Sequence, residues 1–149
     1  MIEKILFVCS GNTCRSPISE YIFNYYSKIL EEPYVASSAG IYVTDGTHIN
    51  KEAQKQLEKR GINSDNFRSK SISLKLINKY NFVICMTDTH RRILVELYPW
   101  ESEKFISLGD CTMGKDVLDP YGGSPDVYEK CATDIEDMII KLFVYLDRD

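Results

Sequence analysis

The chain has 149 residues, of which 44% are hydrophobic and 27% charged, with a net charge of −4, the balance of one globular domain large enough for a real core. No basic block or basic–aromatic interleaving marks a nucleic-acid partner, no apolar run is long enough to cross a bilayer, and the N-terminal apolar stretch is too short for a secretory leader. The expectation is a single domain over residues 1–149, cytoplasmic, with neither membrane nor nucleic acid as partner.

Taken in chain order, Ile5 to Val8 reads as a first buried strand. The loop Cys9-Ser10-Gly11-Asn12-Thr13-Cys14-Arg15-Ser16 follows, and a helix is expected over residues 17–30, with Ile18, Tyr21, Ile22, Tyr25 and Ile29 on one face. Tyr34 to Ser38 is a second strand ending at Ala39-Gly40. Residues 49–60 form a short polar helix closed by Gly61, and Ser73 to Lys79 a further helical turn or two. Phe82 to Met86 is a third strand, after which Thr87 or Asp88 caps a helix that Pro99 stops. Lys104 to Leu108 is a fourth strand, residues 110–123 are loop, and a last helix runs from Ser124 or Pro125 to Leu146, with Val127, Cys131, Ile135, Met138, Ile139 and Leu142 as its apolar stripe. Strands apolar throughout and alternating with helices indicate an α/β fold with a parallel sheet covered on both faces. Ligands in such sheets sit beyond the carboxyl ends of the strands, where the Cys9 loop lies.

That loop has the composition of an anion cradle. A helix N-terminus presents unpaired N–H groups and partial positive charge. Gly11 and Asn12 let the preceding chain curl so that successive amides form a nest for a tetrahedral dianion. Arg15 adds a planar fork for two phosphate oxygens. A field of this sign favours a cysteine as thiolate, so Cys9 is read as a nucleophile at the base of the cradle. Ser16 is a hydrogen-bond donor to that sulfur or an N-cap, with Pro17 at the first helical position. Phosphoryl transfer to sulfur also needs a proton for the leaving group. Asp119 is the candidate donor, in Asp119-Pro120-Tyr121-Gly122-Gly123, where proline sets the backbone and the glycines let the loop fold over a site. The five cysteines are too sparse for a disulfide scaffold, and His48 and His90 stand in no zinc spacing; no metal or cofactor is expected.

With these motifs the chain resembles the low molecular weight protein-tyrosine phosphatases along essentially its full length. The likeness rests on Cys9-x5-Arg15-Ser16, on Ser38-Ala39-Gly40 and on Asp119-Pro120. It implies a four-stranded parallel sheet in a Rossmann-like three-layer sandwich, no metal, and phosphorylated proteins as substrates, with phosphate or another oxyanion in the loop. It implies Cys9 as nucleophile, Arg15 as phosphate clamp and Asp119 as general acid and later base, with Ser10, Gly11, Asn12, Thr13, Cys14 and Ser16 in the phosphate loop. Asn12 and Ser38 would hold that loop in shape. Gly-Asn-Thr-Cys-Arg-Ser-Pro, with Asp116 to Ser124, is similar to the bacterial protein-arginine phosphatase branch. There the Thr13 hydroxyl would accept from a guanidinium where other members carry an aliphatic residue, and Asp119 would pair with the same fork. Tyr121 would stand beside the substrate, and Tyr42 is either a wall of the pocket or a surface tyrosine. The resemblance also implies a reversible Cys9–Cys14 disulfide, with a packed Cys14 thiol as the alternative. Phe67-Arg68-Ser69 departs from the family's usual histidine, which puts a supporting network in question. The other phosphatase reading is phosphotyrosine with the same mechanism. A thiol-coupled arsenate reductase would use Cys85, but residues 86–95 supply no further cysteine.

Overall fold

The structure is a computed structural model that describes residues 2–148. Four strands, β1 (Glu3–Cys9), β2 (Tyr34–Gly40), β3 (Phe82–Cys85) and β4 (Phe105–Ser107), form one parallel sheet in the order β2-β1-β3-β4. The helices are α1 (Arg15–Ile29), α2 (Lys51–Lys59), α3 (Leu74–Ile77), α4 (Asp88–Leu97), α5 (Leu108–Cys111) and α6 (Pro125–Leu146). Among the described residues no helix is long and apolar enough to cross a membrane.

The central strand β1 shows why its sequence is apolar without alternation. Ile5 and Phe7 join a core with α1, α2 and α6 on one face, while Leu6 and Val8 pack with β3, α3 and α4 on the other. Phe23 anchors the larger core, stacked on Phe143 at 4.6 Å and edge-on to Phe7 at 5.7 Å. The architecture is the expected three-layer α/β sandwich. Its strand order places a topological switch at β1, because the chain runs to β2 on one side and later to β3 on the other.

Several local expectations are corrected. Helix α1 begins at Arg15, so Ser16 and Pro17 lie inside its first turn; Cys14 occupies the cap with no side-chain bond. Its buried face includes Ser19, Phe23 and Ser27, whereas Tyr25 and Ile29 are exposed. The hydroxyls of Ser19 and Ser27 donate to the carbonyls of Arg15 and Tyr34, which lets small polar residues occupy a face that hydropathy assigns to tyrosines. In α6 Val127 is exposed and Tyr128 is buried in its place. Pro99 ends α4 but opens a 3-10 turn through Lys104, and Ser107 caps the short α5 at the start of the expected loop. Thr87, Asn50 and Ser124 cap α4, α2 and α6 through their side chains.

Gly40 ends β2 directly beneath the Cys9 loop. A Cβ there would lie 2.6 Å from the Ser10 carbonyl oxygen and 3.0 Å from Asn12 Cβ, and would also meet Val43. Gly40→Ala is expected to cost about 2 kcal/mol by overpacking, a Tm lower by roughly 5 °C. Gly11→Ala, whose Cβ would meet only Thr13 Oγ1 at 3.8 Å, serves as the control and is expected to leave Tm near that of the wild type; differential scanning calorimetry of both checks this.

Candidate active site

The chain leaves β1 at Cys9 and enters α1 at Arg15, and residues 10–14 between them form a tight bend. The curl comes from Asn12, whose φ is +55°; Gly11 has no positive φ. Asparagine is among the few residues that enter this left-handed region readily. Its side chain, wholly buried, explains how it stays there. Nδ2 donates to Ser16 Oγ (2.8 Å) and to Ser38 Oγ (2.9 Å), and Oδ1 accepts from the Lys70 amide (3.0 Å). Ser38 passes its own proton to Glu20 (2.6 Å), whose carboxyl is pushed up by burial. The network in question at Phe67-Arg68-Ser69 is therefore built without a histidine, from Glu20 and the Lys70 backbone.

The same network reaches the cysteine. Ser16 Oγ accepts from Asn12 and has two acceptors for its own proton, of which Cys9 Sγ at 2.8 Å is nearer than the Ala39 carbonyl at 3.5 Å. The Asn12 amide also points at Cys9 Sγ, at 3.3 Å. Among residues 11–14 it is the only backbone amide with an acceptor within the described residues. Donors thus run outward from Asn12 in two directions, through Ser38 to Glu20 and to Ser16, whose hydroxyl faces Cys9.

Cys9, Ser10, Gly11, Thr13, Cys14, Arg15, Asp119 and Tyr121 line one cleft of about 180 Å³. Arg15 is almost wholly buried; its Nη1 donates to the Val117 carbonyl (3.0 Å) and its Nη2 stands 3.8 Å from Asp119 Oδ2. The Val117 amide in turn donates to the Met86 carbonyl at the end of β3. The acid loop is thereby fastened to the sheet and to Arg15 just before Asp119. Asp119 Oδ1 accepts the Tyr121 amide (3.0 Å), an Asx turn that leaves the carboxylate more than half exposed at the cleft. Asn12, Ser16 and Ser38 lie behind the lining rather than in it. Tyr42 is 71% exposed and is not among the residues that line this cleft. Thr13 supplies its carbonyl to the Asn50 amide at the start of α2 (3.0 Å).

All five cysteines are free. Cys14 is buried against Tyr128 (3.7 Å), and burial pushes its thiol up. Burial likewise raises Cys111 and Cys131 to about 12 and drives Cys85 higher still. A thiol so strongly protonated is a poor exchange partner, which weighs against Cys85 as a second redox cysteine. Among the described residues no His, Cys, Asp and Glu side chains group to hold a metal.

Two contributors carry no signal in the sequence. Tyr128 reaches the loop from α6. His90, in the first turn of α4, bridges Ser10 Oγ (2.9 Å) and Thr87 Oγ1 (3.0 Å) through its two ring nitrogens. Burial and the Arg15 charge hold His90 down to about 4, against the opposing pull of Asp116 and Asp119. The folded chain thus keeps His90 neutral while the unfolded chain protonates near pH 6.5. The stability it contributes is complete above that pH and is lost as pH falls towards 4, about 3 kcal/mol in all. Urea unfolding at pH 7 and pH 4 is expected to show this loss in the wild type and a correspondingly smaller one in His90→Gln.

Known proteins share this sequence pattern and fold. The family model described as low molecular weight phosphotyrosine protein phosphatase matches residues 4–149. A protein-arginine-phosphatase of Geobacillus stearothermophilus is 33% identical over 144 residues, 95% of each chain. Among solved structures, a low molecular weight protein tyrosine phosphatase from T. tengcongensis superposes with a TM-score of 0.92 at 38% identity, covering 95% of this chain and 98% of that one. A YwlE arginine phosphatase mutant with a phosphorylated active-site serine superposes with a TM-score of 0.93 at 29% identity, covering 98% and 97%.

Proposed function

The chain belongs to the low molecular weight phosphotyrosine protein phosphatase family, and from that membership we propose that it removes phosphate from phosphoarginine in proteins, through a phosphocysteine at Cys9. The observation that carries the reading is that Cys9, the loop residues Ser10, Gly11, Thr13 and Cys14, Arg15 and Asp119 line one cleft beyond the carboxyl end of β1.

The chemistry follows from that placement. The phosphoryl oxygens lie against the loop amides and the Arg15 fork, whose charges match those spread over the transferring group. The Cys9 thiolate, steadied by Ser16 and Asn12, attacks phosphorus; the S–P bond forms as the P–N bond to the guanidine breaks. Asp119 delivers its proton to the departing nitrogen. The resulting Asp119 carboxylate then takes a proton from a water that attacks the phosphocysteine, the S–P bond breaks, and inorganic phosphate leaves with Cys9 again a thiolate. The relative with a phosphorylated active-site serine supports a covalent step at the corresponding nucleophile.

The preference for arginine rests on Thr13 and Asp119, which face the same cleft. The Thr13 hydroxyl oxygen and the carbonyl oxygen of the protonated Asp119 carboxyl can each accept an N–H of the guanidine group, whereas a phenyl ring has nothing to give them. The Geobacillus relative named for arginine supports this choice. Loss of the Thr13 acceptor in Thr13→Ile is expected to lower kcat/KM on phosphoarginine peptides by roughly tenfold and to spare phosphotyrosine peptides. A wild-type preference for phosphotyrosine would overturn the arginine reading, and an unchanged ratio in Thr13→Ile would remove Thr13 as its cause. Cys9→Ser is expected to keep binding inorganic phosphate in isothermal titration calorimetry while abolishing phosphate release; normal turnover by that variant would overturn the nucleophile assignment.

A further inference from the structure

Ser10 is the first residue after Cys9 and lines the cleft. Its hydroxyl lies 2.9 Å from His90 Nε2, eighty positions along the chain. The strand order brings them together: β3 pairs with β1, so the first turn of α4 stands beside the loop that follows β1. The ring is 5% exposed and its second nitrogen is engaged as well, since Nδ1 is 3.0 Å from Thr87 Oγ1. Thr87 Oγ1 also accepts the His90 amide at 3.1 Å as the cap of α4.

A neutral imidazole donates from one nitrogen and accepts at the other, so the chain Thr87–His90–Ser10 has two directions. In one, Nδ1–H donates to Thr87 and Ser10 spends its proton on Nε2, leaving only oxygen lone pairs for the cleft. In the other, Thr87 donates to Nδ1, Nε2–H donates to Ser10 Oγ, and the Ser10 proton remains available. An anion in the cleft favours the second direction, because lone pairs repel it and a hydroxyl proton attracts it. The Arg15 charge, which acts on His90 as well as on the cleft, opposes a second proton on the ring.

We propose that His90 is a positioning residue of the phosphate site: anchored by Thr87, it donates Nε2–H to Ser10 and so reserves the Ser10 hydroxyl proton for the bound phosphate. The proposal rests on the Cys9 cleft being the phosphate site. It adds to that site a donor that belongs to a side chain and whose direction is set from the neighbouring strand's helix.

Two amide substitutions separate the role of each ring nitrogen. The glutamine side chain carries its NH2 at the position of Nε2, and the asparagine side chain carries its own at the position of Nδ1. Isothermal titration calorimetry with inorganic phosphate at neutral pH reads the outcome. His90→Asn and Ser10→Ala are each expected to weaken phosphate binding by roughly tenfold, the worth of one hydrogen bond to a charged group. His90→Gln is expected to stay within about threefold of the wild type, and Ser10→Ala/His90→Asn to bind no more weakly than Ser10→Ala alone. Equal loss in His90→Gln and His90→Asn would show a packing role and overturn the proposal. So would undiminished binding in His90→Asn, or additive losses in the double variant. A wild-type protein that bound no phosphate would overturn the reading of the cleft itself, an outcome distinct from failure at His90 alone.

Discussion

Asn12 holds a backbone angle that costs most residues 1–2 kcal/mol, in the middle of a loop with no regular structure of its own, and it is wholly buried while doing so. Three side-chain bonds, to Ser16, Ser38 and the Lys70 backbone, keep it there. Those bonds tie three separate segments to the bend: the first turn of α1, the end of β2 and the segment that follows α2. The bend depends on them, and through Ser16 and the Asn12 amide so does the environment of Cys9. Buried polar networks of this kind are costly when one member is missing and rigid when all are present. Rigidity suits the proposed role of the loop, in which the amides are in place before the anion arrives.

Around that bend the sheet order decides what else can reach Cys9. With β1 between β2 and β3, the loop after β1 is flanked by the end of β2, where Gly40 gives it room, and by the start of α4, which brings His90. The acid loop joins from beyond β4 and is fastened at Val117 to both Met86 and Arg15. The result is an uneven pair of charges across the cleft. Arg15 is buried and held, as its proposed role of clamp requires, while Asp119 is more than half exposed at the rim, where the proposed mechanism brings a leaving group and then a water.

Much of this was legible in the residues. Continuous apolar runs identified the parallel strands, and of the alternatives Thr87 or Asp88 and Ser124 or Pro125 for the starts of α4 and α6, Thr87 and Ser124 are the caps, as side chains that can accept a backbone N–H. Cys9, Arg15, Thr13 and Asp119, read from two separate motifs, line one cleft. What escaped did so for physical reasons. The buried face of α1 was displaced because Ser19 and Ser27 satisfy themselves on backbone carbonyls, which hydropathy does not register. Asn12 and Gly11 were equal candidates for the curl, and only the conformation separates them. His90 and Tyr128 are invisible as site residues because their partners lie 80 and 114 positions away, joined by sheet order and helix packing rather than by spacing.

The central claim is that the network centred on Asn12 presents Cys9 as the atom that takes the phosphoryl group. Rapid-quench mass spectrometry of the enzyme during turnover of a phosphorylated peptide tests it most directly. The account predicts a transient phosphoryl adduct on the peptide containing Cys9, borne by sulfur and therefore distinguishable by its chemical lability from a phosphoserine at Ser10 or Ser16. Phosphate release with no such adduct, or an adduct on any other residue, would contradict it.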